Sequence, residues 1–162
     1  MTEPWVINAS PVILLAKVGL IERLPALANP LVIPEPAARE ILAARDDAAA
    51  RWVAGPGQTF VRSAAPELSQ LAESGMGPGE RAVISWAATH RGFLAVLDDR
   101  EARLAAMQLG IKILGTVGVV LRLKRAGLIP EARAPLLQIR NAGGYIGEAL
   151  LREALRSAGE HP

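Results

Sequence analysis

The chain has no cysteine, and its 162 residues include only two histidines, three lysines and four aspartates. The missing cysteine excludes a disulfide framework, thiol catalysis and cysteine-ligated zinc, and it agrees with a reducing compartment such as the cytoplasm. His90 and His161 lie far apart with no metal-ligand spacing, so a zinc centre is not expected. No apolar run approaches bilayer length: Val12–Ile21 is interrupted by Lys17 and Gly19, and the opening Met-Thr-Glu-Pro carries no basic region. Neither a membrane anchor nor a leader is therefore expected. No serine sits in a Gly-x-Ser-x-Gly elbow, and Gly77-Pro78-Gly79-Glu80 lacks the Lys and Ser/Thr of a phosphate loop.

What is present is apolar material. Hydrophobic residues make up 51% of the chain, enough for the core of one domain spanning residues 1–162. Net charge is only +2 despite a pI near 9.5, so a polyanionic partner would have to be recognised by charge placement, not by total charge. Arginine far outnumbers lysine, which suits phosphate forks but equally reflects compositional bias.

The apolar pattern alternates between strands and helices. Trp5–Ile7 reads as a strand, followed by a helix over 11–18 with Ser10 as cap and Pro11 in its first turn. Gly19 breaks it, a second short helix covers 20–27, and Leu31–Ile33 forms the next strand. Pro34-Glu35-Pro36 opens a helix expected to run to Val53, carrying Asp46-Asp47 within it. A strand at 59–62, a helix at 66–73 and a Gly-rich, mobile loop at 75–79 follow. Glu80 begins a helix that leads to the buried strand 93–97, a helix ending at Leu109, a strand at 111–114 and a helix to Ala126. Helices at 134–140 and 147–158 close the chain, and residues 157–162 are expected to fray. Strands separated by helices of about ten residues predict a three-layer α/β/α fold around a mostly parallel sheet.

In such sheets the ligand crevice lies beyond the carboxyl ends of the strands. Asn8 and Ser10 follow the first strand, Asp98 and Asp99 the fourth, and Thr116 the fifth. Adjacent carboxylates at the mouth of a buried strand suggest a divalent cation. The same placement fits a plain helix cap, with Arg100 and Arg103 balancing the charge, and spacing alone leaves both readings open. Glu40 and Glu80 lie on helices leaving the same edge, although Glu in a first helical turn is commonly an ordinary surface residue. Arg39 and Arg81 beside them are expected to be solvated.

Taken together, Val6-Ile7-Asn8-Ala9-Ser10-Pro11-Val12-Ile13, Ile33-Pro34-Glu35-Pro36 with Glu40-Ile41, Gly79-Glu80-Arg81-Ala82-Val83-Ile84, Leu97-Asp98-Asp99-Arg100-Glu101-Ala102-Arg103 and Gly115-Thr116-Val117-Gly118-Val119-Val120 resemble the PIN-domain family. The resemblance spans Val6 to about Leu155 and is nearest to a VapC-like branch of uncharacterised bacterial and archaeal members. It implies a nuclease site in which acids hold Mg²⁺ or Mn²⁺ for phosphodiester hydrolysis. Carried over, the catalytic acids are Glu40, Glu80 and Asp99 with Asp98 as neighbour, and the metal ligands are Asn8, Glu80, Asp99 and Asp98. Ser10 and Thr116 supply small polar groups, and Arg100, Arg103, Lys124 and Arg125 would bind flanking RNA phosphates. The resemblance further implies the toxin half of a type II toxin–antitoxin pair, a small antitoxin partner and a homodimer.

Asn8 departs from the family, whose first strand typically ends in Asp. The amide oxygen still ligates, but one negative charge is lost, worth on the order of several kcal/mol at about 4 Å before compensation. The competing reading is therefore a catalytically impaired PIN-like module that binds RNA or protein. A phosphoacceptor receiver domain also uses acids at a sheet edge, but it needs a carboxylate where Asn8 stands and a lysine where Thr116 stands.

Overall fold

The computed structural model of the chain describes residues 2–45 and 47–162. The strands are β1 (Glu3–Ile7), β2 (Ala28–Pro34), β3 (Val61–Arg62), β4 (Leu94–Val96) and β5 (Ile113–Leu114). The helices are α1 (Ala9–Lys17), α2 (Glu35–Ala43), α3 (Asp47–Ala54), α4 (Pro78–Thr89), α5 (Arg100–Gln108), α6 (Thr116–Arg125), α7 (Arg133–Asn141) and α8 (Glu148–Ser157). All strand pairings are parallel, in the order β3-β2-β1-β4-β5. The three-layer α/β/α expectation therefore holds, with a sheet that is parallel throughout.

Alternation along the strands divides the core into two layers. Trp5, Ile7, Leu31, Ile33, Leu94 and Val96 pack with Leu15, Ile41, Trp52, Leu123, Leu136 and Leu155 on one face. Val6, Val32, Ala95 and Leu97 pack against Val83, Ile84, Ala102 and Ala106 of α4 and α5 on the other. The chain steps outward from β1 through β2 to β3, then resumes at β4 on the opposite side of β1. That reversal opens a crevice at the carboxyl ends of β1 and β4.

Several local expectations are corrected. The first helix begins at Ala9, so Asn8 takes the cap position, without a side-chain cap bond, and Ser10 lies exposed inside the helix. Segment 20–27 forms a 3-10 helix (Ile21–Ala26) interrupted by Pro25, which has no N–H to continue an α-helical ladder. The helix expected from Pro34 to Val53 is two helices, separated at Arg45 with φ 57°. A straight helix of that length would span about 30 Å, the width of a small domain. The break instead packs α3 against α1 and α2, where Trp52 is buried and stacks on Phe60 with ring centroids 5.9 Å apart. Asp47 opens α3, and Asp46 lies outside the described residues. Segment 66–73 has too few apolar positions for a buried stripe and forms only a 3-10 turn (Ser69–Leu71).

Glu160, near the end of the chain, is anchored. Glu160 accepts hydrogen bonds from Lys124 Nζ (2.8 Å), Ala132 N (2.7 Å) and Arg133 N (3.1 Å), tying the segment after α8 to α6 and to the start of α7.

Candidate active site

The crevice is built first by β1. The Asn8 amide N–H donates to the Val96 carbonyl at 3.2 Å, prolonging the β1–β4 ladder and fixing the direction of the Asn8 side chain. Asn8 is 3% exposed, and its Oδ1 is fully buried with no hydrogen-bond partner. Such an unmet oxygen costs about 1–3 kcal/mol, so a native fold retains one only for a reason.

Two carboxylates line the start of α4, Glu40 beside Asn8 and Glu80 beside Gly77. Glu40, on α2, accepts the Gly79 N–H at 2.8 Å. A Cβ placed on Gly79 would stand 2.6 Å from Asn8 Oδ1 and 2.7 Å from Glu40 Oε1, so these oxygens converge on one point. A Cβ on Gly77 would stand 2.9 Å from Glu80 Oε2 and 3.8 Å from Glu40 Oε1. Amide oxygen and carboxylates thus line the first turn of α4, whose positive end favours negative groups there. The donor set is three hard oxygens, two of them on charged groups, which is the chemistry of a Mg²⁺ or Mn²⁺ site. Among the described residues, no three His, Cys, Asp or Glu side chains gather closely enough to hold a metal ion by themselves. The third oxygen of the Glu40–Glu80 group comes from an amide.

The Gly-rich turn before α4 is held in place. Arg81, half-buried where solvation was expected, donates to Glu67 Oε1 at 2.7 Å and to the Met76 carbonyl at 2.5 Å, and Met76 itself is buried.

A second polar group follows β4. Asp98 Oδ1 accepts the Thr116 N–H at 2.8 Å and Asp98 Oδ2 accepts the Thr116 hydroxyl at 2.5 Å. Both Asp98 oxygens are therefore engaged in binding the start of α6 to the end of β4. Arg103 donates to the Leu97 carbonyl at 2.9 Å, and its Nη1 and Asp98 Oδ1 both lie close to Gly115. Asp99 is the N-cap of α5, with Oδ2 accepting the Ala102 N–H at 2.9 Å. The plain cap reading thus applies to Asp99, and Asp98 is a clamp on Thr116.

Of the expected site residues, Asn8, Glu40 and Glu80 form one cluster, while Asp98, Thr116 and Arg103 form another at the neighbouring strand end. Ser10 and Arg100 are exposed at the starts of α1 and α5. Lys124 and Arg125 are separated from this edge: they sit in the last turn of α6, about 12 Å of helix from Thr116. There Lys124 Nζ donates to the Ala158 carbonyl and to Glu160, both at 2.8 Å. Gly77 and Gly79 read in the sequence as loop glycines and not as site residues, though glycine at 79, in a first helical turn, is a signal because it is a poor helix former.

The family model DUF3368, described as a PIN domain, matches residues 4–160. The chain belongs to the PIN-domain family. Comparison with curated proteins and with solved structures gives no match. PIN domains are typically nucleases and generally use divalent metal ions, which supports a hydrolase function. Among the described residues, no helix of this PIN domain is long and apolar enough to cross a membrane.

Proposed function

We propose that the protein is a metal-dependent endoribonuclease. The observation that carries this reading is the buried, unpartnered Asn8 Oδ1 facing the Glu40 carboxylate, with Glu80 on the far side of Glu40. Apart from the Gly79 N–H on Glu40, these acceptors face one another without a donor, and a hard cation relieves the repulsion between them. Asn8, Glu40 and Glu80 would hold Mg²⁺ or Mn²⁺. When bound, the cation supplies polarisation of a phosphate oxygen and a more acidic water.

The chain's own groups do the rest. Gly79 N–H keeps the Glu40 carboxylate beside Asn8, and Asp99, with one oxygen in its cap bond, is the further carboxylate at the same edge. Arg100 and Arg103, at the start of α5, offer charge to flanking phosphates of RNA. A toxin role, with a small antitoxin covering the acidic crevice, a homodimeric assembly and a cytoplasmic setting complete the proposal. The test is cleavage of a fluorescent single-stranded RNA with Mn²⁺ or Mg²⁺, where undiminished cutting in excess EDTA ends the reading.

A second reading is a catalytically impaired PIN-like module that binds RNA or protein. The amide at position 8 and the full engagement of Asp98 by Thr116 favour it, because the first removes a charge from the crevice and the second occupies both oxygens of a carboxylate. Asn8→Asp separates the two. A large gain in cutting marks a weakened site, and unchanged cutting by an already active enzyme marks an amide that serves.

A further inference from the structure

Gly79 occupies the second position of α4, after Pro78 and with Gly77 as the cap residue. Its backbone does not require glycine: the left-handed glycines are Gly19, Gly92, Gly110, Gly127, Gly143 and Gly159, and Gly79 is not among them. Helix propensity argues against glycine at this position. What distinguishes it is its surroundings, since any side chain there would begin in the space facing Asn8 Oδ1 and Glu40 Oε1. By contrast Gly147, the cap residue of α8, faces open space.

We propose that Gly79 is a positioning residue: its bare Cα leaves open the space where the Asn8 and Glu40 oxygens meet, and its amide holds Glu40 there. This rests on the reading of the crevice as a cation site. The atoms that a Cβ would strike on Glu40 are the far end of a flexible, half-buried side chain. Alanine is therefore accommodated by turning aside both the Glu40 carboxylate and the Asn8 amide, whose Oδ1 is the nearest atom at 2.6 Å, which breaks the Gly79–Glu40 hydrogen bond and separates the two oxygens without unfolding α4. Gly77 repeats the device for Glu80, whose Oε2 lies where a Gly77 side chain would begin.

The test compares the wild type, Gly79→Ala and Gly147→Ala by thermal melting in EDTA and by Mn²⁺ titration with free Mn²⁺ read by electron paramagnetic resonance. Gly79→Ala is expected to melt no lower than the wild type while binding Mn²⁺ at least about tenfold more weakly. Gly147→Ala is expected to bind as the wild type does. Weakening of Gly79→Ala by less than that, or a drop in its metal-free melting temperature, overturns the proposal and leaves the cation reading standing. Absence of saturable Mn²⁺ binding by the wild type overturns both.

A metal-free measurement separates the two failures. Exchange of the Gly79 amide proton, followed by NMR in EDTA, is expected to be at least about tenfold slower in the wild type than in Glu40→Ala. Equal rates overturn the positioning role whatever the metal does.

Discussion

Glu160 and the Asn8 crevice treat buried or half-buried oxygens in opposite ways. At the tail, one carboxylate meets an ammonium and two backbone N–H groups. At the crevice, the Asn8 oxygen meets none and shares its space with the Glu40 carboxylate. The satisfied cluster joins chain segments 27 or more residues apart and contributes stability. The unsatisfied one costs stability in the free protein, which is the arrangement expected of a binding site.

The largest effect that tests this contrast is at the crevice. Glu80→Gln is expected to lower the single-turnover rate of RNA cleavage by about a hundredfold or more, on the order of 2.7 kcal/mol of transition-state stabilisation. It is also expected to leave the metal-free melting temperature unchanged or raised, since it removes a repulsive charge. A loss of folding stability equal to the loss of activity would contradict the contrast.

Glu160→Gln is expected to do the reverse: no change in cleavage rate and a loss of about 1 kcal/mol in urea unfolding. Partial burial works to raise the Glu160 pKa, but the Lys124 ammonium and the Ala132 and Arg133 amides outweigh it and hold the carboxyl below its ordinary value of 4.5. A lowered folded-state pKa means that the contribution is complete above the unfolded value and disappears as pH falls through the folded one. The stability gap between the wild type and Glu160→Gln should therefore be constant at neutral pH and close in acid. A gap that widened in acid would refute the clasp.

Asp98→Asn lies between the two regions in kind and should have a smaller effect. It weakens the clamp on Thr116, costing about 1 kcal/mol or less in urea unfolding, and is expected to reduce Mn²⁺ affinity less than Glu80→Gln does. Equal losses of affinity would return Asp98 to the metal ligands. The smallest effect is expected at Arg125: Arg125→Ala, at the far end of α6, should leave RNA affinity and its salt dependence unchanged, whereas Arg103→Ala should reduce the salt slope by about one.

Much of the architecture was legible because its signals are local. Apolar runs such as Phe93–Leu97, bounded by Gly92 and Asp98, mark buried strands, and Gly19, Gly110 and Gly127 end helices in the left-handed conformation that glycine adopts freely. The division between α2 and α3 was not legible. Ala37, Ile41, Ala49 and Trp52 keep helical spacing across Arg45, so periodicity by itself describes one continuous helix.

The candidate acids were named from the chain, but their roles were not. Adjacent in sequence, Asp98 and Asp99 diverge in space, one clamping Thr116 and the other capping α5. Lys124 reads as a free cation until Glu160 arrives beside it.

Composition and periodicity thus determined the layers, the parallel sheet and which polar residues stand at its carboxyl edge, because each follows from burial of neighbouring apolar side chains. Only the folded chain decided which oxygens are satisfied and which are left facing one another. Those outcomes depend on groups tens of residues apart, such as Asn8, Glu40 and Gly79, meeting within hydrogen-bonding range, and local chemistry holds no record of that meeting.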